Sequence, residues 1–243
     1  MVETTCKIWF VASHYDVPAD AIDVLDHSER TRSARLLREA DRAAFVTTRA
    51  ALRYLLSMII DVPPADIEFT THPGGKLSLA SAHEHCDVDF SVSHTEGLSA
   101  IGISHCGAIG IDIERRRPVP DRIGIVSRLL GSRVARQLEK WPTERQNEIF
   151  LQLWTATEAY AKVTGLGLAA ISEQISVTIS GDGTPSLDAP PAGHDAVAWR
   201  LLSLAPSTEY IGSTVMKDSS ATPLRAPMSE TTTLAALSSA RVW

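Results

Sequence analysis

The chain has 243 residues, 44% hydrophobic and 21% charged, which suits one large domain or two moderate ones with an ample buried core. Its net charge of −6 argues against a nonspecific nucleic-acid binder. No run approaches the ~20 apolar residues that span a bilayer, and the first ten residues lack the apolar core of a signal peptide, so a cytoplasmic protein without a membrane partner is expected. The three cysteines, Cys6, Cys86 and Cys106, are odd in number and form no CxxC pair, which fits reduced thiols.

In chain order, Ile8–Ser13 reads as an opening strand. Ser28 can cap a helix reaching about Leu37, and Asp41 can cap a second with Arg42–Ile60 as its body. On that second helix Phe45, Leu52, Leu56 and Ile59 fall on one stripe, while Arg42, Arg49 and Arg53 fall on another. Arg30, Arg32, Arg35 and Arg38 precede them, against only Glu39 and Asp41. A local basic face on an acidic protein suggests a small polyanionic ligand. Strand-like runs follow at Ile67–Thr70, Leu77–Leu79, Val88–Val92, Leu98–Ser104 and Ala108–Glu114. His72–Lys76 and Ser93–Gly97 read as turns between them.

Arg115–Pro120 is a basic, proline-bearing connector and the expected hinge between halves. Helices are predicted at Arg122–Leu130 and Ser132–Lys140. Thr143 and Gln146 then form a capping box for a helix that runs to Thr164 and stops at Gly165. Gln174–Ser180, Val197–Leu204 and Tyr210–Met216 are strand candidates. Residues 217–243 are Ser/Thr/Ala/Pro-rich and weakly periodic, a low-complexity tail expected to be disordered or to carry a terminal turn of helix. Each half runs helices first and strands after, so the expected fold class is α+β with two similar lobes, 1–114 and 115–216, and a ligand site in the cleft between them.

Two constellations carry chemistry. In Ile109–Glu114 the isoleucines alternate with Gly110, Asp112 and Glu114, the period-2 signature of a half-buried strand. Three isoleucines enter a core, two carboxylates leave from the opposite face, and Gly110 on that face allows something to approach the backbone closely. Asp112 and Glu114 could hold a divalent cation or could simply end a strand. On the capping-box helix Trp154, Glu158 and Lys162 stand at i, i+4 and i+8 and share a face. Alone, Glu158 and Lys162 read equally as a helix salt bridge, and Trp154 as core. Together with the strand, Glu158 could complete an oxygen set for Mg²⁺, an ion that neutralises pyrophosphate charge, with Lys162 on a phosphate oxygen. Mn²⁺ tolerates similar ligands. His83 and His85 beside Cys86 look metal-like but lack a matching second cluster and suit a solvent loop.

Phe90-Ser-Val-Ser93-His94, Gly110-Ile-Asp112-Ile-Glu114 and Trp154-Thr-Ala-Thr-Glu158-Ala-Tyr-Ala-Lys162, in this order, resemble the surfactin-synthetase type of 4′-phosphopantetheinyl transferases. Gly75-Lys76 resembles that family's Gly-Lys-Pro turn, and Asp41, Phe45, Arg49, Leu52 and Arg53 resemble its first-lobe helix; the likeness runs from about residue 20 to 216. It implies a monomer of two lobes related by a pseudo-twofold axis. It further implies that 4′-phosphopantetheine moves from coenzyme A to a serine of an acyl or peptidyl carrier protein, releasing adenosine 3′,5′-bisphosphate. On that resemblance Asp112, Glu114 and Glu158 hold Mg²⁺, Glu158 is the general base, and Lys162 binds a phosphate. Ser93, His94, Gly75 and Lys76 match positions that contact the 3′-phosphoadenosine end, with Arg53 and then Arg42 as further contacts. Arg115–Arg117 form a docking patch for an acidic carrier.

Ser91 stands where the family often has Asn, Leu77 where Pro is usual, and Thr157 where a lysine precedes the catalytic Glu. The last change removes positive charge at the expected coenzyme or carrier edge. The same acids would also serve a Mg²⁺-dependent nucleotide phosphohydrolase with a water nucleophile, or the fold could be a non-catalytic coenzyme- or carrier-binding module. Both remain as alternatives on the residues alone.

Overall fold

The computed structural model describes residues 6–13, 17–83, 86–105, 107–165, 167–168, 175–188, 198–218, 228–233 and 236–237. His85, Cys106, Gln174, Val197 and much of 217–243 lie outside the described residues. Along the chain run β1 (Cys6–Ala12), α1 (His27–Ala34), α2 (Glu39–Ile60), β2 (Phe69–Thr71), β3 (Leu77–Leu79), β4 (Asp89–Thr95), β5 (Leu98–Ser104) and β6 (Ile109–Arg115). After them come α3 (Arg122–Leu130), α4 (Ser132–Glu139), α5 (Thr143–Thr164), β7 (Ser176–Ile179), β8 (Pro185–Asp188), β9 (Ala198–Leu204), β10 (Tyr210–Asp218) and β11 (Met228–Thr232). The fold is mixed α+β, and the chain divides into two compact units.

The first unit comprises Met1–Thr71, Leu77–Cys106 and Ala226–Trp243. Its sheet has the order β11-β1-β5-β4, with β1, β5 and β4 antiparallel and β11 parallel to β1. The segment read as a tail therefore contains an edge strand of this sheet. Helix α2 contains neither Gly nor Pro, and it ends at Asp61, which takes a left-handed φ of 56° and returns its N–H to Ser57 O before two prolines stop the chain. Its apolar stripe, with Leu52, Leu55 and Leu56, packs into one core with Trp9, Val11, Phe90, Ile101 and Ile103. By length and composition α2 is the one described helix that could cross a membrane. With 78% of its most apolar window buried inside the chain, it is a core helix instead.

Two caps differ from expectation. Asp26, not Ser28, starts α1: its carboxylate accepts from Glu29 N at 2.9 Å while the Glu29 carboxylate accepts from Asp26 N, and Ser28 Oγ donates to Asp26. Helix α2 starts at Glu39 behind Arg38, which makes no side-chain cap, and Asp41 lies inside its first turn, where a carboxylate suits the helix dipole.

The second unit comprises His72–Lys76 and Gly107–Arg225. The division thus precedes β6 and does not fall at Arg115. A three-stranded antiparallel sheet, β6-β10-β9, carries α5 across β6 and β10, and α3, α4 and the β7–β8 hairpin pack around the N-terminal half of α5. The predicted capping box is absent. Pro142 occupies the N-cap, so Thr143 is already helical, and Gln146 instead binds Trp141 O and the Arg122 guanidinium. The C-terminal stop at Gly165 is present, with φ 71°.

Nor is 115–120 a free hinge. Asn147 Oδ1 accepts from Val119 N at 2.8 Å and its Nδ2 donates to Arg117 O at 2.9 Å, while Arg116 pairs with Glu148 and donates its own N–H to Glu209 O. Three consecutive residues of α5, Gln146, Asn147 and Glu148, therefore hold Arg116–Arg122 in place.

Candidate active site

The site in the second unit begins with a missing side chain. A Cβ on Gly110 would lie 1.9 Å from Ala159 O and 2.8 Å from Val163 N, so the backbone of α5 rides directly on β6 at this position. The close approach foreseen from Gly110 is made by α5 itself. Ile109, Ile111 and Ile113 are buried as expected, but the opposite face is covered too: Gly110 and Asp112 are buried and Glu114 is half-buried beneath the helix.

This packing joins the two motifs. Lys162 Nζ donates to Asp112 Oδ1 at 2.8 Å and to Ile111 O at 3.0 Å. Glu158, one turn earlier, and Glu114, two residues along the strand, both feel the Asp112 charge. The carboxyls of Glu114 and Glu158 are pushed above their ordinary range, first by burial and then by Asp112; for Glu158 the Lys162 ammonium opposes the rise and Glu114 adds to it. At Glu114 the opposing groups are the Arg117 guanidinium, the Trp154 indole N–H and Lys162.

Three mutually repelling carboxylates thus share few cations, which is a donor set suited to a hard divalent ion. Among the described residues, however, no group of three or more His, Cys, Asp or Glu is drawn together closely enough to hold one.

The loop His72–Lys76 belongs to this unit. Gly75 turns with φ 87°, Gly75 N donates to His72 O, and His72 N donates to Lys76 O. Gly74 lies so close to the end of α5 that a Cβ there would sit 2.0 Å from Gly165 O. Lys76 Nζ donates to Ile109 O at 3.1 Å, on the strand that carries Asp112.

The other predicted residues lie in the first unit. Arg42 is exposed on the first turns of α2. Arg53 is not a ligand contact. It is fully buried, donating Nε to Glu29, Nη1 to Pro64 O and Ile67 O, and Nη2 to Asp26 at 2.9 Å, with its plane over the Phe69 ring. Four of its five N–H groups are committed to tying α2 to α1 and to the Pro64–Ile67 segment. Arg49, one turn earlier, has a buried Nη1 without a hydrogen-bond partner; burial lowers its guanidinium to about 10, and Arg32 joins it against the Phe45 ring. Ser93 and His94 do not lie in a turn. They belong to β4, opposite Ala100 and Ser99, with Ser93 buried and His94 exposed, and the turn is Glu96-Gly97.

Two further expectations change. Thr157 is fully buried with its hydroxyl on Leu153 O, so this position does not form a charged edge. In the expected docking patch Arg115 pairs with Glu209 and Arg116 with Glu148, leaving Arg117 as the exposed arginine beside the carboxylates. Trp154 was read as core and is only partly buried. Its i, i+4, i+8 spacing with Glu158 and Lys162 was the available signal that it faces the site.

Comparison with known proteins places the chain in a family. The 4′-phosphopantetheinyl transferase superfamily profile matches residues 108–215. The Synechocystis protein slr0495, which carries the 4′-phosphopantetheinyl transferase name, is 33% identical over 197 residues, covering 81% of this chain and 78% of its own. The 4′-phosphopantetheinyl transferase HetI of Nostoc is 30% identical over 79% of this chain and 78% of its own. Sfp of Bacillus subtilis, another bearer of that name, is 26% identical over 67% of this chain and 70% of its own.

Proposed function

This chain belongs to the 4′-phosphopantetheinyl transferase family, and on that premise we propose that it moves 4′-phosphopantetheine from coenzyme A to a serine of an acyl or peptidyl carrier protein with Asp112, Glu114, Glu158 and Lys162 as its catalytic centre. The observation that carries the reading is the seating of α5 on Gly110, which brings Lys162 onto Asp112 and sets Glu158 and Glu114 within reach of the Asp112 charge.

In the reaction the serine Oγ forms a bond to the phosphorus that bears the pantetheine arm. The bond from that phosphorus to the bridging oxygen breaks, and the oxygen leaves with adenosine 3′,5′-bisphosphate. The serine proton goes to the Glu158 carboxylate, directly or through water. Burial first, and then the neighbouring Asp112, strengthen it as a base when ionised. Lys162 meets the negative charge that develops on the phosphate oxygens. Asp112, Glu114 and Glu158, drawn closer together than they stand here, would hold Mg²⁺, or Mn²⁺ in its place, and the ion would supply charge neutralisation on the pyrophosphate.

Gly75, Lys76, Ser93, His94 and Arg42 contact the 3′-phosphoadenosine end in this reading. Arg49, with its unpartnered Nη1 beside Arg32, takes the phosphate contact first assigned to Arg53. The protein acts as a cytoplasmic monomer.

The test is the intact mass of an apo carrier protein after incubation with this protein, coenzyme A and Mg²⁺. A phosphopantetheine-sized gain on the serine, lost with a chelator, is expected. Consumption of coenzyme A without any carrier would overturn the reading in favour of a phosphohydrolase.

A further inference from the structure

The short loop between α1 and α2 breaks two rules of stability at neighbouring residues. Leu37 is 98% exposed, whereas the next most exposed large apolar side chain among the described residues, Ile22, is 41% exposed. Leu36 beside it packs against the core of the first unit, so of two adjacent leucines one is sheltered and the other is held out in water. Arg38 follows at the N-cap of α2, in extended backbone and without a side-chain cap bond. Helix starts favour Ser, Thr, Asp or Asn at that place, and the positive end of the helix dipole disfavours a cation. Neither residue serves the fold, and local departures of this kind collect at functional surfaces.

The loop is also braced. Arg35 N donates to Arg32 O and Leu36 N to Ser33 O, while Arg42 N donates to Arg38 O on the far side. The buried Arg53 ties α2 to α1 through Glu29 and Asp26. Leu37 is therefore presented as a fixed knob, whose ordering costs little when a partner binds. Its surroundings are basic: between residues 30 and 42 five arginines stand against Glu39 and Asp41. Arg30 is spent on Leu25 O and Asp23 O, and Arg32 lies against the Phe45 ring. The guanidinium groups of Arg35 and Arg38 are exposed and pair with no group among the described residues.

An apolar knob between two unpaired cations calls for a partner that is acidic around an apolar socket. A membrane fits poorly, since one leucine offers far less apolar area than an amphipathic helix or a pair of acyl chains. A protein partner is already required, because the chain's reaction uses a carrier protein as acceptor. The docking patch expected at Arg115–Arg117 meanwhile loses two of its arginines to Glu209 and Glu148.

We propose that Leu37, flanked by Arg35 and Arg38, docks the carrier protein, the leucine entering an apolar socket and the arginines meeting acidic side chains around it. The inference rests on the transfer to a carrier proposed above.

The experiment is a fluorescence anisotropy titration of a labelled apo acyl carrier protein with the full chain, without coenzyme A, and transfer kinetics alongside. Leu37→Gln should weaken carrier binding and raise the carrier KM about 10-fold or more, the scale of one leucine withdrawn from an apolar socket. Its KM for coenzyme A and its thermal midpoint should match the parent's, since the side chain it replaces touches water. Arg35→Glu with Arg38→Glu should weaken carrier binding about 10-fold at low salt and progressively less as salt is raised. Carrier binding by Leu37→Gln equal to the parent's overturns the proposal. So does a raised KM for coenzyme A with carrier binding unchanged, which would give the patch to the nucleotide. Loss of binding to phosphatidylserine vesicles as the variant's sole defect would give it to a membrane and overturn the proposal equally. A parent that binds the carrier but transfers nothing to it overturns the transferase reading instead and leaves the docking surface standing.

Discussion

Gly110→Ala is the sharpest test of how the second unit builds its site. The added Cβ would stand 1.9 Å from Ala159 O and 2.8 Å from Val163 N, both backbone atoms of a 22-residue helix that cannot rotate out of the way. Restoring ordinary contact, which begins near 3.4 Å, requires α5 to retreat from β6 by about 1.5 Å. The Lys162–Asp112 bond, now 2.8 Å, then exceeds hydrogen-bonding length, and Glu158 moves with the same helix. A misplacement of that size costs about 100-fold in rate by the usual sensitivity of catalytic geometry, and overpacking costs about 1–3 kcal/mol of stability. The assay is single-turnover transfer to an apo carrier, with thermal melting in parallel. A variant that melts a few degrees lower yet transfers within threefold of the parent would show that the seating of α5 does not set the catalytic geometry.

Other substitutions separate structure from chemistry. Arg53→Met leaves the buried Glu29 with only its longer, 3.9 Å pairing to Arg49 and should cost about 3–5 kcal/mol by chemical denaturation. If it melted normally and only raised the KM for coenzyme A, Arg53 would be a ligand contact after all. Glu158 has a folded-state pKa above its ordinary 4.5, so between the two values the folded protein holds more protons than the unfolded chain. Stability from this group must therefore fall as pH rises through that window and level off above it. Glu158→Gln should flatten the pH dependence of unfolding free energy and abolish transfer, and an unchanged slope would contradict the burial argument. Deleting residues 226–243 strips β1 of its parallel partner β11; the shortened chain should melt lower and self-associate on size-exclusion chromatography, since β1 then offers an open edge.

The β6–α5 part of the fold, which carries the candidate site, was legible because it depends on local periodicity. Strict alternation over Ile109–Glu114 set the direction of each side chain, and i, i+4, i+8 spacing set Trp154, Glu158 and Lys162 on one face. What alternation could not show is that both faces of β6 are covered. A polar face normally reads as a solvated one, and only the absent side chain at Gly110 hinted that a helix backbone lies there. The α5 start was misread for a related reason: Thr143 and Gln146 have the residue types of a capping box, but Pro142 already provides the turn into the helix.

The errors in the first unit share a different cause, since each turns on a partner distant in sequence. An arginine on a helix stripe looks the same whether it awaits a phosphate or is consumed by Glu29 and Asp26, residues 24 and 27 positions away. Ser93-His94 looked like a turn because its residues are small and polar, yet strand pairing with Ser99 and Ala100 prevails, and the chain reverses at the adjacent Glu96-Gly97. The strand Met228–Thr232 has too little apolar alternation to announce itself, because an edge strand gains its stability from backbone bonding to β1. Distance in sequence also explains the useful correction. Once Arg53 is spent on the framework, the arginine left with a buried, unpartnered Nη1 is Arg49, one turn away on the same helix. The basic stripe therefore differs within itself: Arg53 fastens α1 to α2 through Glu29 and Asp26, while Arg49 pairs with Glu29 only at 3.9 Å and keeps an unbonded Nη1, the donor offered to an anion in the proposal above.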